Sequence, residues 1–504
     1  MPPAAEALQL ASPASTKLKR YTRDSVDVTE LRRRAREVLG VTPFQWQLDA
    51  AVAVLCGENL ILDVGTGCGK SLCFVLPVLL DRNDIAITVM PLTALMLDQA
   101  KSAKIPTLPI CQESIDAVGR VKLYEASVSG TYQHILCSPE IFKTKEFKTH
   151  TMNKISHRCR VVNLDEAHCI STWGGSFRPD YLEIGAIRGV VPAHVPVVGA
   201  SATWPSNVLD EVRRILGLAA ETRRISITNA RPNIALSVRA TKFEEGSMAD
   251  LRFTIPTNAK VPTDIPMTLV YFNERLKAER ACDRLTQWAA DEHIANPPDG
   301  ACIAFYHAKV GPIRKRELEV WLAEGRVRIL CCTDAVGMGC DMRNIERVIL
   351  WELPPSFCAL VQRAGRAARD LSKMGEAILI VSKNLINKGA KIIEAEVVAS
   401  VEAAAKSAEA MNAVDDGVVE DGVEVNEGGQ RILVEEGGVR QSNDVDDDGG
   451  ATKPSRGQQR GRRGKNDCSA RETHFLTLFS SGTECLAKVW DDFFENDTKG
   501  ERLD

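Results

Sequence analysis

The chain of 504 residues exceeds what one hydrophobic core organises, and at roughly 100–200 residues per domain it predicts two to four units. Apolar residues at 44% and charged residues at 26% exclude collagen-like and wholly disordered classes. The net charge of −4 would argue against a polyanionic partner if it were evenly spread, but acid concentrates between Asp415 and Asp448 and leaves the rest neutral to basic.

Residues 1–30 are expected to form a disordered tail, of which 1–23, poor in acid and carrying Ser, Lys and Arg, weakly resembles a transit peptide. No apolar run reaches about 18 residues and no apolar core of a signal peptide follows Met1, so neither a membrane partner nor secretion is expected. From Leu31 to Ile227, short β-branched or apolar runs alternate with longer helical segments, the pattern of a parallel sheet covered by helices. Strands are predicted at Leu60–Val64, Ile85–Met90, Ile135–Cys137, Val161–Leu164 and Val197–Ala200. After a polar, Pro-containing stretch the alternation restarts, with Met267–Phe272, Cys302–Tyr306, Val327–Cys331, Val348–Trp351 and Ala377–Val381. The expected division is a first lobe at 31–228, a linker at 229–262, and a second lobe with a trailing helix at 263–411.

Apolar content then collapses into Gly, Asp and Glu, which predicts a disordered segment, acidic and then basic, over 412–466. Its basic, glycine-rich part, Arg456 to Lys465, reads either as a nuclear-localisation or polyanion-binding patch or as a solvated linker. The fifteen cysteines are scattered, and several lie in apolar runs such as Cys331-Cys332. They read as small buried hydrophobes in a reducing compartment, not as a disulfide framework.

Between a predicted strand and a predicted helix stands Gly65-Thr66-Gly67-Cys68-Gly69-Lys70-Ser71. Consecutive backbone N–H groups and a helix N-terminus can cradle phosphate there, and glycine permits the tight turn. Lys70 would reach the β- and γ-phosphates, and the Ser71 hydroxyl would ligate Mg²⁺. The strict phosphate-loop pattern asks for Gly at 64 and finds Val64, so a structural glycine turn is the alternative. Asp165-Glu166-Ala167-His168 follows the apolar run Val161–Leu164 directly, which puts both carboxylates where open α/β sheets bind ligands. Asp165 would hold Mg²⁺, and Glu166 would orient or deprotonate the attacking water. The segment Gln362 to Arg369 would supply positive charge from the second lobe through the guanidinium groups of Arg366 and Arg369, as phosphoryl transfer develops charge on oxygen, with an ordinary basic helix as the alternative.

Together with Ser201-Ala202-Thr203 and Thr333 to Asp341, these segments resemble the ordered motifs of superfamily-two helicases. Asp165 to Tyr181, reading DEAHCISTWGGSFRPDY, narrows the resemblance to the RecQ family, as do Ala230-Arg231-Pro232-Asn233, Tyr306-His307-Ala308, Ser138-Pro139-Glu140 and Pro91 to Gln99. The resemblance covers about residues 31–385 and implies two RecA-like lobes, each a mostly parallel sheet flanked by helices: an α/β fold of the P-loop NTPase class, followed by the acidic disordered segment. It implies ATP and Mg²⁺ as cofactors, with Gln47 reading adenine, Arg369 as an arginine finger supported by Arg366, and Thr333, Gly337 and Asp341 coupling nucleotide to strand. Trp173, Phe177 and Arg178, with Ser138, would sense single-stranded DNA, unless the aromatics are core residues.

The family's departures here are Gly175, Ser176, Lys309 and Ala368, each bearing on coupling efficiency. Residues 467–504 resemble the start of the family's zinc segment at Cys485 to Phe494, but no CxxC pair occurs and zinc is not expected. Neither the rest of that module nor a winged helix is recognisable, so weak or partner-dependent unwinding is expected. The resemblance further implies 3′→5′ action on single-stranded and forked DNA in recombination and repair, a nuclear location, and protein partners through the disordered segment. An RNA helicase of the DEAH type and a non-catalytic nucleic-acid scaffold are the competing readings.

Overall fold

In the computed structural model, residues 18–91, 93–171, 187–294, 302–336, 342, 344–383 and 471–500 are described. The apolar runs become strands because both of their faces are covered. Leu60–Val64 (β1), Ile85–Val89 (β2), His134–Cys137 (β4) and Cys159–Leu164 (β5) are buried along their whole lengths. With Thr107–Ile110 (β3), Val197–Ser201 (β6) and Arg223–Ile227 (β7) they form a seven-stranded sheet in the order β3-β4-β2-β5-β6-β1-β7. A second sheet of six strands runs β10-β11-β9-β12-β13-β8, from Ile234–Ala240 (β8), Thr268–Tyr271 (β9), Ile303–Tyr306 (β10), Ile329–Cys332 (β11), Arg347–Trp351 (β12) and Gly375–Val381 (β13). Every pairing in both sheets is parallel. Such sheets require helical crossovers, and each accordingly carries an apolar core on both faces.

Three expectations about boundaries change. The tail expected over 1–30 is ordered from residue 18: Tyr21 packs with Val26 and Leu55 beneath the Arg160 guanidinium. The helix Val28–Arg34 then starts at an Asp27 cap that accepts from the Glu30 N–H. The span 229–262, expected as a linker, contains β8, which pairs with β13 along its whole length. The C-terminal piece forms helices at 471–481 and Leu486–Phe494, and its Leu476, Phe479, Val489, Trp490, Phe493 and Phe494 join the second lobe's core. The trailing helix and the acidic segment 412–466 lie outside the described residues. Among the described residues no helix is long and apolar enough to cross a membrane.

Candidate nucleotide site

The chain leaves β1 at Val64, turns through the glycine-rich loop, and enters the helix Lys70–Val75. Gly67 and Gly69 have φ of 82° and 81°, a left-handed conformation that a Cβ would strain. Gly65 is needed for a different reason: a Cβ there would stand 2.9 Å from the Asn229 Cα. The Lys70 ammonium folds back over the loop, donating to the carbonyls of Val64 (2.9 Å) and Gly65 (3.4 Å). Ser71 is exposed beside it in the first helical turn. Gln47, buried on the helix Gln45–Leu55, donates from Nε2 to the Gly69 carbonyl (3.0 Å) and accepts at Oε1 from the Phe44 N–H (2.8 Å). Each end of that amide makes one bond within the chain, which holds it in place and leaves a second N–H and a second lone pair for an adenine.

β5 delivers Asp165 to the same end of the sheet, where its N–H donates to the Val89 carbonyl (3.0 Å). Burial pushes the Asp165 carboxyl up to about 7, the Glu166 carboxylate adds to the rise, and Lys70 opposes it. Glu166 takes a left-handed φ of 49°, which turns its N–H onto Asp165 Oδ1 at 3.1 Å. Its Oε2 is buried and accepts no hydrogen bond among the described residues; His168 Nδ1 lies 3.4 Å away. A buried Asp165 beside a half-buried Glu166 that keeps one buried, unsatisfied oxygen is a donor set suited to Mg²⁺ and a polarised water. The glycine cradle and Lys70 suit a polyphosphate.

His168 Nδ1 is 2.8 Å from Ser201 Oγ, and burial holds this imidazole below its usual value. From the second lobe, the helix Phe357–Ala364 brings Gln362 Nε2 to within 3.4 Å of Thr203 Oγ1 and 3.5 Å of His168 Nε2. Arg366 and Arg369, half-buried, follow on the turn after that helix. Arg231 clamps this turn: its guanidinium donates to the carbonyls of Gly365 (2.7 Å), Ala367 (2.7 Å) and Ala368 (2.6 Å). Asn233 Nδ2 adds bonds to the carbonyls of Ala368 and Lys373, both at 2.9 Å. Sequence reasoning had given Arg231 and Asn233 no role beyond the resemblance, and had passed over Asn229. No residue type announces a buried carbonyl clamp, because its partners are backbone atoms more than 130 residues away.

Of the remaining expected site residues, Ser138 stands just before the short helix Pro139–Phe142 at the end of β4, its carbonyl accepting from the Phe142 N–H, and Thr333 follows β11 with its N–H on the Tyr306 carbonyl. Both therefore sit at carboxyl ends of strands, as Lys70 and Asp165 do. Trp173, Phe177, Arg178, Gly337 and Asp341 lie outside the described residues.

Two family models match the chain, DEAD/DEAH box helicase over residues 42–212 and helicase conserved C-terminal domain over 265–371. Among curated proteins, the ATP-dependent DNA helicase RecQ of Pasteurella multocida is 29% identical over 369 residues, spanning 71% of this chain and 54% of its own. A probable ATP-dependent DNA helicase RecS of Bacillus subtilis is 29% identical over 75% of this chain and 72% of its own. A putative ATP-dependent DNA helicase Q1 of Caenorhabditis elegans is 30% identical over 64% of this chain and 50% of its own. The chain belongs to the RecQ family of superfamily-two helicases.

This RecQ chain spans about half the length of the Pasteurella and Caenorhabditis relatives. Its fold also matches solved helicases at low identity. Mycobacterium smegmatis Lhr bound to single-stranded DNA and AMP-PNP superposes with a TM-score of 0.54 at 21% identity, over 74% of this chain and 50% of Lhr. The DEAD-box helicase Mss116 bound to single-stranded RNA superposes with 0.57 at 16%, over 73% of this chain and 77% of Mss116. The two RecQ lobes are thus RecA-like, each lobe a parallel sheet between helical layers.

Proposed function

We propose that this RecQ-family chain hydrolyses ATP and uses the cycle to move 3′→5′ along single-stranded DNA and to separate duplexes, in recombination and repair. The observation that carries the chemistry is the gathering of Lys70, Asp165 and Glu166 at the carboxyl ends of β1 and β5, with Gln362 of the other lobe reaching His168 and Thr203. Polarity, DNA preference, biological role and a nuclear location are carried from the family, whose matching members include bacterial proteins.

In this reading, Lys70 exchanges the two loop carbonyls for phosphate oxygens, and the glycine loop's N–H groups take the rest of the polyphosphate. Asp165 and Ser71 would hold Mg²⁺, which when bound neutralises charge on the phosphate oxygens. Glu166 orients a water and takes its proton; the open lone pairs on its buried Oε2 suit that task. Arg366 and Arg369 stabilise the charge that develops during transfer, and the Arg231 clamp fixes the turn that bears them. The bridge from His168 through Gln362 makes the state of the water site legible in the second lobe.

Partial duplexes with a single-stranded tail on either end test this reading. Purified chain with ATP and Mg²⁺ should act on the 3′-tailed DNA in preference to the 5′-tailed DNA and to matched RNA. Equal action on RNA would favour the RNA-helicase reading, and ATP-independent binding alone would favour the scaffold.

A further inference from the structure

Residues 471–500 touch both lobes. Against the second lobe, Glu472 Oε2 accepts from the Phe357 and Cys358 N–H groups that open the helix bearing Gln362. The Phe357 ring is surrounded by Phe475, Phe479, Phe493 and Phe494, at centroid distances from 4.7 to 6.5 Å. Against the first lobe, Gly500 pairs alongside β7 as a parallel bridge to Ile227: its N–H donates to the Ser226 carbonyl (3.0 Å), and its carbonyl accepts from the Thr228 N–H (2.9 Å). The Lys499 ammonium lies 2.9 Å from Asp63 Oδ2 on β1, both side chains being 1% exposed.

Between these anchors stands Asn229. Its Oδ1 accepts from Trp490 Nε1 (3.0 Å) and from Asn496 Nδ2 (2.9 Å). Its Nδ2 donates to the Ala202 carbonyl at 3.2 Å, and its Cα is the atom on which a side chain at Gly65 would collide. One short segment therefore grips, at one end, the helix that carries Gln362, and at the other, the residue packed directly against the first glycine of the phosphate loop.

We propose that residues 471–500 are a strap that sets the spacing of the two lobes, and that Trp490 and Asn496 are positioning residues for the nucleotide cleft, acting through Asn229 on Gly65. The proposal rests on reading that cleft as an ATP site. Its physical content is a population: a strap that holds the lobes where loop and second lobe can meet the same nucleotide raises the competent fraction, and apparent affinity scales with that fraction. Loss of one buried hydrogen bond of ordinary net strength then lowers affinity by about three- to tenfold. Trp490→Phe removes the N–H donor while keeping a buried aromatic ring; Asn496→Ala removes the second donor together with the Oδ1 that accepts from the Asn229 N–H (3.3 Å) and the bond to Asp491 Oδ1 (2.7 Å).

The test measures binding of a fluorescent ATP analogue with Mg²⁺, and hydrogen exchange at Thr228 and Asn229 without nucleotide, in wild type, Trp490→Phe, Asn496→Ala and Lys70→Ala. We expect Trp490→Phe to bind about three- to tenfold more weakly, Asn496→Ala, which loses more bonds, at least as much more weakly, and both to exchange faster at those two amides. Far-ultraviolet circular dichroism identifies a variant that does not fold, in which case the other variant decides. Wild-type affinity in the strap variants overturns the proposal, whatever their exchange or melting temperature. If Lys70→Ala abolishes binding while the strap variants bind normally, the strap alone is wrong; if wild type binds no analogue, both the strap and the proposed ATP site are wrong.

Discussion

Ala368 shows how closely the turn after the Gln362 helix is determined. It is buried at φ 39°, in the left-handed region where glycine is at ease, and Arg231 and Asn233 hold its carbonyl there. A left-handed non-glycine residue costs about 1–2 kcal/mol, whereas glycine adds roughly 0.5–1 kcal/mol of unfolded-state entropy and forfeits about 0.8 kcal/mol for one buried methyl. These terms nearly cancel. Ala368→Gly should therefore leave stability within about 1 kcal/mol of wild type, and Ala368→Val, β-branched at a positive φ, should lose more than about 2 kcal/mol. Denaturant midpoints check both; a large loss in the glycine variant would show that the methyl packing matters more than the backbone strain. The departure from family pattern at this position was legible in the sequence, but its left-handed backbone was not, since alanine gives no sign of positive φ.

At the level of elements, the central strands could be read from the sequence, and of the four edge strands only β10, an apolar run, could. Each of β1, β2, β5, β9 and β12 is an apolar or β-branched run buried throughout or nearly so, and each was anticipated to within a residue or two. The three strands that were missed, β3, β7 and β8, all end a sheet. β3 contains Pro109, β7 opens on Arg223-Arg224, and β8 carries Arg239, the polar and proline punctuation that protects sheet edges and hides them from periodicity.

β4 carries a further consequence of central burial. His134 faces β2, where Thr88 Oγ1 lies 2.8 Å from its Nε2 and also accepts from Asn163 Nδ2 at 3.1 Å. A hydroxyl already accepting one bond has its own proton for a neutral imidazole, and burial accordingly pushes this histidine from 6.5 down to about 4. The folded value lies below the unfolded one, so the stabilisation is complete above about pH 6.5 and drains away as pH falls through 4, by up to about 3 kcal/mol. Stability measured from pH 7 to pH 4 should fall more steeply in wild type than in His134→Gln. Equal slopes would mean that the imidazole takes its proton at the same pH in the fold as in the unfolded chain.

Across the whole molecule, the two-lobe fold and the residues that meet in the cleft were legible because glycine-rich loop, carboxylate pair and glutamine-arginine motif each occupy a short contiguous stretch. What joins the lobes was not. The Trp490 to Asn229 bond spans 261 residues, and the Arg231 clamp spans 134 to 137, distances over which a lone sequence shows no pattern. The expected linker therefore turned out to be the joint: Asn229 touches the phosphate loop, Arg231 holds the turn of Arg366 and Arg369, and β8 completes the second sheet.

The steady-state rate of ATP hydrolysis with and without single-stranded DNA, on wild type and Lys70→Ala side by side and at one stated salt concentration, tests the central claim most directly. Wild type should turn over ATP slowly alone and much faster with DNA, and Lys70→Ala should lose turnover in both conditions, because the loop offers no second cation to the β- and γ-phosphates. A wild-type rate indifferent to DNA, or a Lys70→Ala chain that hydrolyses ATP as wild type does, would contradict a DNA-driven motor built on this loop.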